Sequence, residues 1–301
     1  MRFSYAESMC DPGHYAPLAI EAERSGWTSF VVPDSVCYPE VSDSVYPYTP
    51  DGSREFLEDK PFIEPFSLIP ALGAVTERLR FATFVVKLPI RQPVLVAKSV
   101  ASVAVLTGNR FAFGVGLSPW PEDYRVCGQE WKGRGRRMDE MIEIVRGLTA
   151  PRHAAGGAGR RSGGFYEFHG DCYDLESIKI CPVPTQPIPI LIGGHTEPAL
   201  RRAARSGDGW MHAGGDPETL GALLGRLREL RRECGREGEP FEIHVISLDA
   251  YTVDGVRRLE DLGVTDVIVG FRNAYEKDTQ TLEQKIAALQ SYAENVIAKL
   301  S

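Results

Sequence analysis

Residues 187–212 read PIPILIGGHTEPALRRAARSGDGWMH. A short apolar run at 188–192 gives way to two glycines, then to helical spacing at 197–206, then to a second run at 209–212. Short apolar runs bounded by turn signals read as buried strands, and apolar residues at helical spacing between them read as a helix. Strand, helix, strand in this order is the repeating unit of a parallel sheet.

The same alternation runs outward in both directions. Upstream lie a strand at 2–7, a helix at 15–25 that Gly26 stops, and a second strand at 29–32. A helix at 65–76, strand three at 79–86, a helix at 93–106, strand four at 110–115 and a broken helical region over 121–148 follow. Downstream of strand six (209–212) come a helix at 217–233, strand seven at 242–248, a helix at 254–262, strand eight at 266–271 and a last helix at 282–299. Eight strands, each followed by helix, predict an α/β fold: a closed (β/α)8 TIM barrel forming one domain over 1–301.

Two insertions interrupt the rhythm. The stretch 37–61, after strand two, is polar and rich in proline and tyrosine. It is too long for a plain connector, and loops of that length act as lids or binding loops. The stretch 151–186, before strand five, includes AAGGAGRRSGG at 154–164, a linker by composition, and alternates like a hairpin over 165–180.

Of 301 residues, 43% are hydrophobic and 25% charged, an ordinary balance for a globular protein with a large core. The formal charge of −7 argues against a general nucleic-acid binder but leaves room for an anionic small ligand held by local donors. No stretch approaches the roughly 20 apolar residues of a membrane helix. The first ten residues carry charges rather than an apolar run, so no secretory leader is expected. Cys10, Cys37, Cys127, Cys172, Cys181 and Cys234 form no C-x-x-C pair, and reduced thiols in a cytoplasm are the simplest reading.

In such a barrel the active site gathers at the C-terminal ends of the strands. Gly193 and Gly194 let backbone approach a ligand, and the helix start at His195 and Thr196 offers amides and a favourable dipole to an anion. A tight turn that binds nothing is the alternative. Gly114 and Gly116 end strand four; a crowded barrel end explains them as well as a cofactor ring does. Asp34, Glu122, His212 and Tyr124 are the candidates for an acid, and none stands out. Arg134, Arg136 and Arg137 open a helix, and Arg160 and Arg161 sit in the glycine-rich linker; either group could hold an anionic tail or face solvent. Trp120 and the aromatics over 38–56 could wall an apolar pocket or cover the mouth. His153, His169, His195 and His212 lack metal-ligand spacing, His244 reads as structural, and no nucleophile elbow or phosphate-binding P-loop occurs.

IEAERSGWTSFVVPDS (20–35), LRFATFVVKLPIRQPVLVAKSVASVAVLTGNRFAFGVGLSPWPEDY (79–124), GRGRRMDEMIEIVRGL (133–148) and PIPILIGGHTEPALRRAARSGDGW (187–210) together resemble the luciferase-like monooxygenase family, above all its coenzyme F420-dependent class. The resemblance implies a TIM barrel, usually a homodimer, with a flat tricyclic cofactor across its mouth. It implies a bulge in strand three with a non-prolyl cis peptide at Phe84–Val85, beside Thr83, behind the ring. It also implies that Asp34 and Ser35 touch the ring's polar edge, while Gly193, Gly194, His195 and Thr196 cradle the phosphate.

Two departures bear on activity. Sugar-phosphate dehydrogenases of this family have histidine where this chain has Ser35, and glutamate in the loop that here reads Ser118-Pro119-Trp120. The leading expectation is therefore hydride transfer between coenzyme F420 and another small organic substrate, with cofactor positioning as the main device. A reduced-FMN monooxygenase is the runner-up, and a barrel that binds flavin without turnover the third reading.

Overall fold

Eight parallel strands close on themselves in the computed structural model, which describes residues 1–300 apart from 43, 47, 48, 50, 51, 153–158 and 160. In chain order the strands are β1 (Arg2–Ala6), β2 (Ser29–Val32), β3 (Arg80–Thr83), β4 (Val86–Lys87), β5 (Phe111–Gly116), β6 (Tyr166–His169), β7 (Asp174–Ile178), β8 (Ile190–Gly193), β9 (Gly209–His212), β10 (Glu242–Val245) and β11 (Asp266–Val269). β3 and β4 are two halves of one barrel strand, and β6 and β7 form a separate antiparallel hairpin. Around the barrel the order is β3-β2-β1-β11-β10-β9-β8-β5, and pairing of β3 with β5 closes it.

The helices are α1 (Tyr15–Arg24), α2 (Pro65–Gly73), α3 (Pro93–Leu106), α4 (Pro121–Val126), α5 (Arg134–Thr149), α6 (Glu197–Ser206), α7 (Pro217–Glu233), α8 (Val253–Asp261) and α9 (Leu282–Asn295). Among the described residues no helix is long and apolar enough to cross a membrane.

The period-2 geometry of a strand sorts its residues into two layers. Outward-facing Phe30, Phe81, Phe113, Ile190, Trp210 and Val267 join the large core between barrel and helices. Inward-facing Val31, Ala82, Ala112, Leu191, Met211 and Ile268 form a smaller core inside the barrel. Burying each large apolar side chain contributes roughly 1.5–3 kcal/mol. The inner set includes small residues because the cylinder is narrow. A Cβ at Gly114 would lie 1.9 Å from the Thr83 carbonyl oxygen and 2.7 Å from Met211 Sδ.

Several boundaries differ from the expectation. Strand three, continuous over 79–86 by pattern, is split at Phe84–Val85, whose peptide is cis as the family resemblance implied. Strand seven stops at Val245, since the Ser247 hydroxyl accepts from Asp249 N and starts a 3-10 turn at Leu248–Tyr251. The last helix ends at Asn295, because Val296 leaves the helical region at φ −123°. The helix expected over 65–76 ends at Gly73. Much of the 154–164 linker, Arg160 included, lies outside the described residues.

At the N-terminal end of the barrel Glu242, His244 and Asp266 come within 4.8 Å of one another, a grouping that spacing along the chain does not reveal. Arg2 pairs with both carboxylates at 2.6 and 2.8 Å, and Arg80 with Glu242 at 3.1 Å. These cations, with His244, hold the Glu242 carboxyl down at about 2 against the effect of burial. The cluster is an ion-pair plug opposite the mouth.

Candidate active site

Two arcs of the mouth differ in kind. On the β8–β10 arc the chain is opened by glycine. Gly194 has φ +123°, and Gly214 and Gly215 follow β9 at +98° and +143°, conformations that favour residues without a Cβ. Thr196 is the exposed N-cap of α6, and its side chain makes no cap bond. Trp210 Nε1 donates to the Gly194 carbonyl at 2.8 Å, fixing the corner from behind.

His195 is half-buried beside this corner. Its Nε2 accepts from the Ala213 amide at 3.1 Å, which assigns the ring proton to Nδ1. Burial pushes its pKa down, so the ring is a neutral donor. The ring of His212 stacks on it, with centroids 4.5 Å apart. His212 shares the outward face of β9 with Trp210, not the inward face of Met211. It is fully buried, and burial together with His195 pushes it down to about 4. For His212, considered above as an acid, the geometry supports the packed-ring reading.

Val85 links this arc to the rest of the mouth. A Cβ at Gly116 would meet Val85 Cγ2 at 2.7 Å, and one at Gly193 would meet Val85 Cγ1 at 2.9 Å. The two glycines therefore seat the Val85 side chain, and Phe84 and Val85 form a half-exposed apolar floor. The room beside Gly116 and Gly193 is taken by the Val85 side chain, the crowded barrel end considered above for Gly116. Thr83 is fully buried and donates its hydroxyl to the Gly114 carbonyl at 2.7 Å. It braces the bulge from behind, its hydroxyl engaged within the barrel.

On the arc from β11 through β2 to β5 the mouth is ion-paired. Asp34 accepts from Lys87 N at 2.9 Å and from Arg91 Nη2 at 2.8 Å, clamping the end of β2 to β4. Lys87 Nζ donates to Asp123 at 2.7 Å, and Ser118 Oγ to the same oxygen at 2.5 Å. Glu122 accepts from Ser42 and Ser44 and pairs with Arg54. Glu7 is held by Tyr5, Arg272 and Lys285. Asp34 and Glu122 are thus engaged carboxylates rather than free acids. Ser35 is half-buried next to Asp34. The 37–61 insertion lies over this arc, with Tyr46 stacked on Trp120 at 5.1 Å and Phe56 edge-on to Tyr275 at 4.9 Å. Trp120 is buried under it, so these rings cover the mouth rather than line a pocket.

Arg134 and Arg137, read above as able to hold an anionic tail, come together with Tyr124 at the start of α5. Tyr124 Oη, Arg134 Nε and Arg137 Nε are buried and have no hydrogen-bond partner. Burial pushes the Tyr124 phenol up to about 12, and the charges of Arg134 and Arg137 act on it in the opposite sense. α5 begins at Gly133 without a side-chain cap or an acidic residue in its first turn. Arg202 of α6 binds Asp139 and the Gly135 carbonyl, fastening this helix start beside α6. Arg136 and Arg161 are exposed and already paired, with Asp171 and Glu167. A cavity of about 320 Å³ lined by Tyr251, Phe271 and Tyr292 includes no residue of the glycine corner.

Comparison with known proteins agrees with this architecture. The family model described as luciferase-like monooxygenase matches residues 5–277. An uncharacterised protein of Mycobacterium tuberculosis is 60% identical over the full length of both chains. The F420-dependent glucose-6-phosphate dehydrogenase of Nakamurella multipartita is 26% identical over 87% of this chain and 71% of its own. Among solved structures, monooxygenase RslO1 from Streptomyces bottropensis superposes with a TM-score of 0.75 at 16% identity, each chain covered completely. A closed eight-strand barrel, a cis bulge at its mouth and a family match over most of its length together place the chain in the luciferase-like monooxygenase family.

Proposed function

We propose that this protein is an oxidoreductase that transfers a hydride between coenzyme F420 and a small organic substrate. The observation that carries this reading is the set of buried donors without acceptors, Tyr124 Oη, Arg134 Nε and Arg137 Nε, at an uncapped helix start fastened beside α6. Buried polar groups are rarely left unpaired, and a phosphate would satisfy all three. Gly193, Gly194, His195 and Thr196 would hold the same ligand through their backbone amides. Phe84 and Val85 would support the flat ring from below, with Ser35 and Asp34 at its edge.

Once bound, the deazaflavin supplies a two-electron hydride carrier. The chain's own part is to fix the ring against Val85 and to cover the mouth with the 37–61 insertion. Asp34, Glu122, Asp123 and Glu7 are all engaged, which favours chemistry that relies on positioning over a dedicated acid. The F420-dependent relative supports the cofactor, while Ser35 and Ser118-Pro119-Trp120 speak against sugar phosphate as substrate.

Titrating the purified protein with F420 and with reduced FMN tests the reading. F420 binding is expected, weakened by about tenfold or more in Arg134→Gln and Arg137→Gln, the scale of one charge-assisted hydrogen bond. Tight FMN binding with oxygen consumption and no F420 binding would make the protein a monooxygenase instead.

A further inference from the structure

Arg54 belongs to the 37–61 insertion and is 6% exposed. Its guanidinium lies 4.1 Å from the ring centroid of Trp120 and 5.7 Å from that of Tyr38. Described residues of the insertion reach Trp120 and Glu122 beyond β5 and Tyr275 beyond β11. Arginine presents five N–H donors in one plane. Among the described residues a single acceptor meets the Arg54 fork, Glu122 Oε2 at 3.5 Å from Nη1. Nε is buried with no acceptor at all. Glu122 does not depend on this contact, because the Ser42 and Ser44 hydroxyls donate to it at 2.9 Å.

Arginines that only fasten the structure look different. Arg110 donates to the carbonyls of Gly73, Thr76, Leu79 and Thr107. Arg91 divides its fork between the Lys87 carbonyl and Asp34. The Nε–Nη2 edge of Arg54 has no such partner. An aromatic face steadies a guanidinium but does not satisfy its hydrogen bonds, and a buried charged donor left unmade is unfavourable. The ligand that fits this edge is a carboxylate, which accepts two parallel bonds from it. Apolar side chains are exposed on the same loops, Val41 and Val45 on the insertion and Leu117 after β5, beside the acidic Glu40, Glu55, Glu58 and Asp59.

We propose that Arg54 anchors the substrate, its Nε–Nη2 edge receiving the carboxylate of a small organic acid whose remaining body is apolar. This rests on the hydride-transfer reading above and names the substrate class for the same mouth. Glu122, held by its two serines, meets Nη1 alone and leaves that edge open.

The test uses butyrate, octanoate and cinnamate, each beside its alcohol, titrated by calorimetry into the full-length protein with and without F420. At least one acid is expected to bind about tenfold or more tighter than its alcohol, the scale of a bidentate charged pair. Arg54→Lys keeps the charge but not the fork, and should bring that acid down to the level of the alcohol while F420 affinity stays unchanged. Glu122→Gln should tighten the acid, since it removes the competing carboxylate. Two results would overturn the proposal: no preference for any acid, or a preference that Arg54→Lys retains. If Arg54 merely fastens the insertion, Arg54→Lys and Glu122→Gln both lower the melting temperature and leave the acid-to-alcohol ratio alone. Absence of F420 binding in the unaltered protein sinks the cofactor reading separately, because the acid preference is also measured without cofactor.

Discussion

The β8–β10 arc and the β11–β5 arc of the mouth share one barrel rim and solve opposite problems. The first leaves donors without acceptors: glycines at positive φ, an uncapped helix start, and the buried Nε atoms of Arg134 and Arg137. The second removes charge from play: Asp34, Asp123, Glu122 and Glu7 each meet a cation, and Tyr46 of the insertion stacks on Trp120 beside Glu122. The difference teaches that the rim is divided between a side whose donors lack partners and a side whose charges are paired. Within the ion-paired side, Arg54 keeps a buried Nε that meets no acceptor among the described residues.

If the division is real, breaking the ion-paired side should cost folding and spare the ligand. Lys87→Met leaves Asp123 buried without its cation, and removing one partner of a buried pair costs about 3–5 kcal/mol. Urea denaturation should show that loss, and F420 affinity, measured well below the transition, should change little. A loss of affinity larger than the loss of stability would erase the distinction between the arcs.

The second expectation concerns the histidine stack. The folded pKa of His212, pushed down to about 4, lies below its ordinary value of 6.5, so the unfolded chain binds the extra proton first. Stability should therefore be full above pH 6.5 and decline as pH falls toward 4, by about 3 kcal/mol from this group. His212→Phe should flatten that part of the stability–pH curve, as followed by denaturant midpoints across the window. An unchanged acid slope would mean that the stack does not exclude the proton.

The smallest effect sharpens the comparison most. Tyr124→Phe deletes a hydroxyl that has no partner, so stability should shift by no more than about 1 kcal/mol in either direction. The same substitution should weaken F420 binding by several-fold. Loss of stability with unchanged binding would show that Tyr124 belongs with the structural residues.

Some of this was legible along the chain because it is local. The eightfold alternation, the Gly26 stop, the hairpin and the glycine corner depend on neighbours a few residues apart, and the structure places them close to where the pattern did. The split of strand three was expected only through family resemblance, since nothing in the run LRFATFVV marks a cis bond. Asp34, Glu122 and His212 could not be ranked from sequence, because the groups that engage or bury them come from other strands and loops. Lys87 and Asp123 stand 36 residues apart, Asp34 and Arg91 57, and Arg54 and Glu122 68.

The sequence by itself determined the barrel: hydrophobic period and turn chemistry are short-range properties, and eight repetitions of them admit few other closures. Tertiary structure decided which polar groups were left with work to do. It seated Val85 over Gly116 and Gly193, turned His212 toward the helices, and paired the carboxylates of the rim. The physical reason is that a hydrogen bond or ion pair is a contact in space, so whether a donor is used or open is written only when distant segments meet.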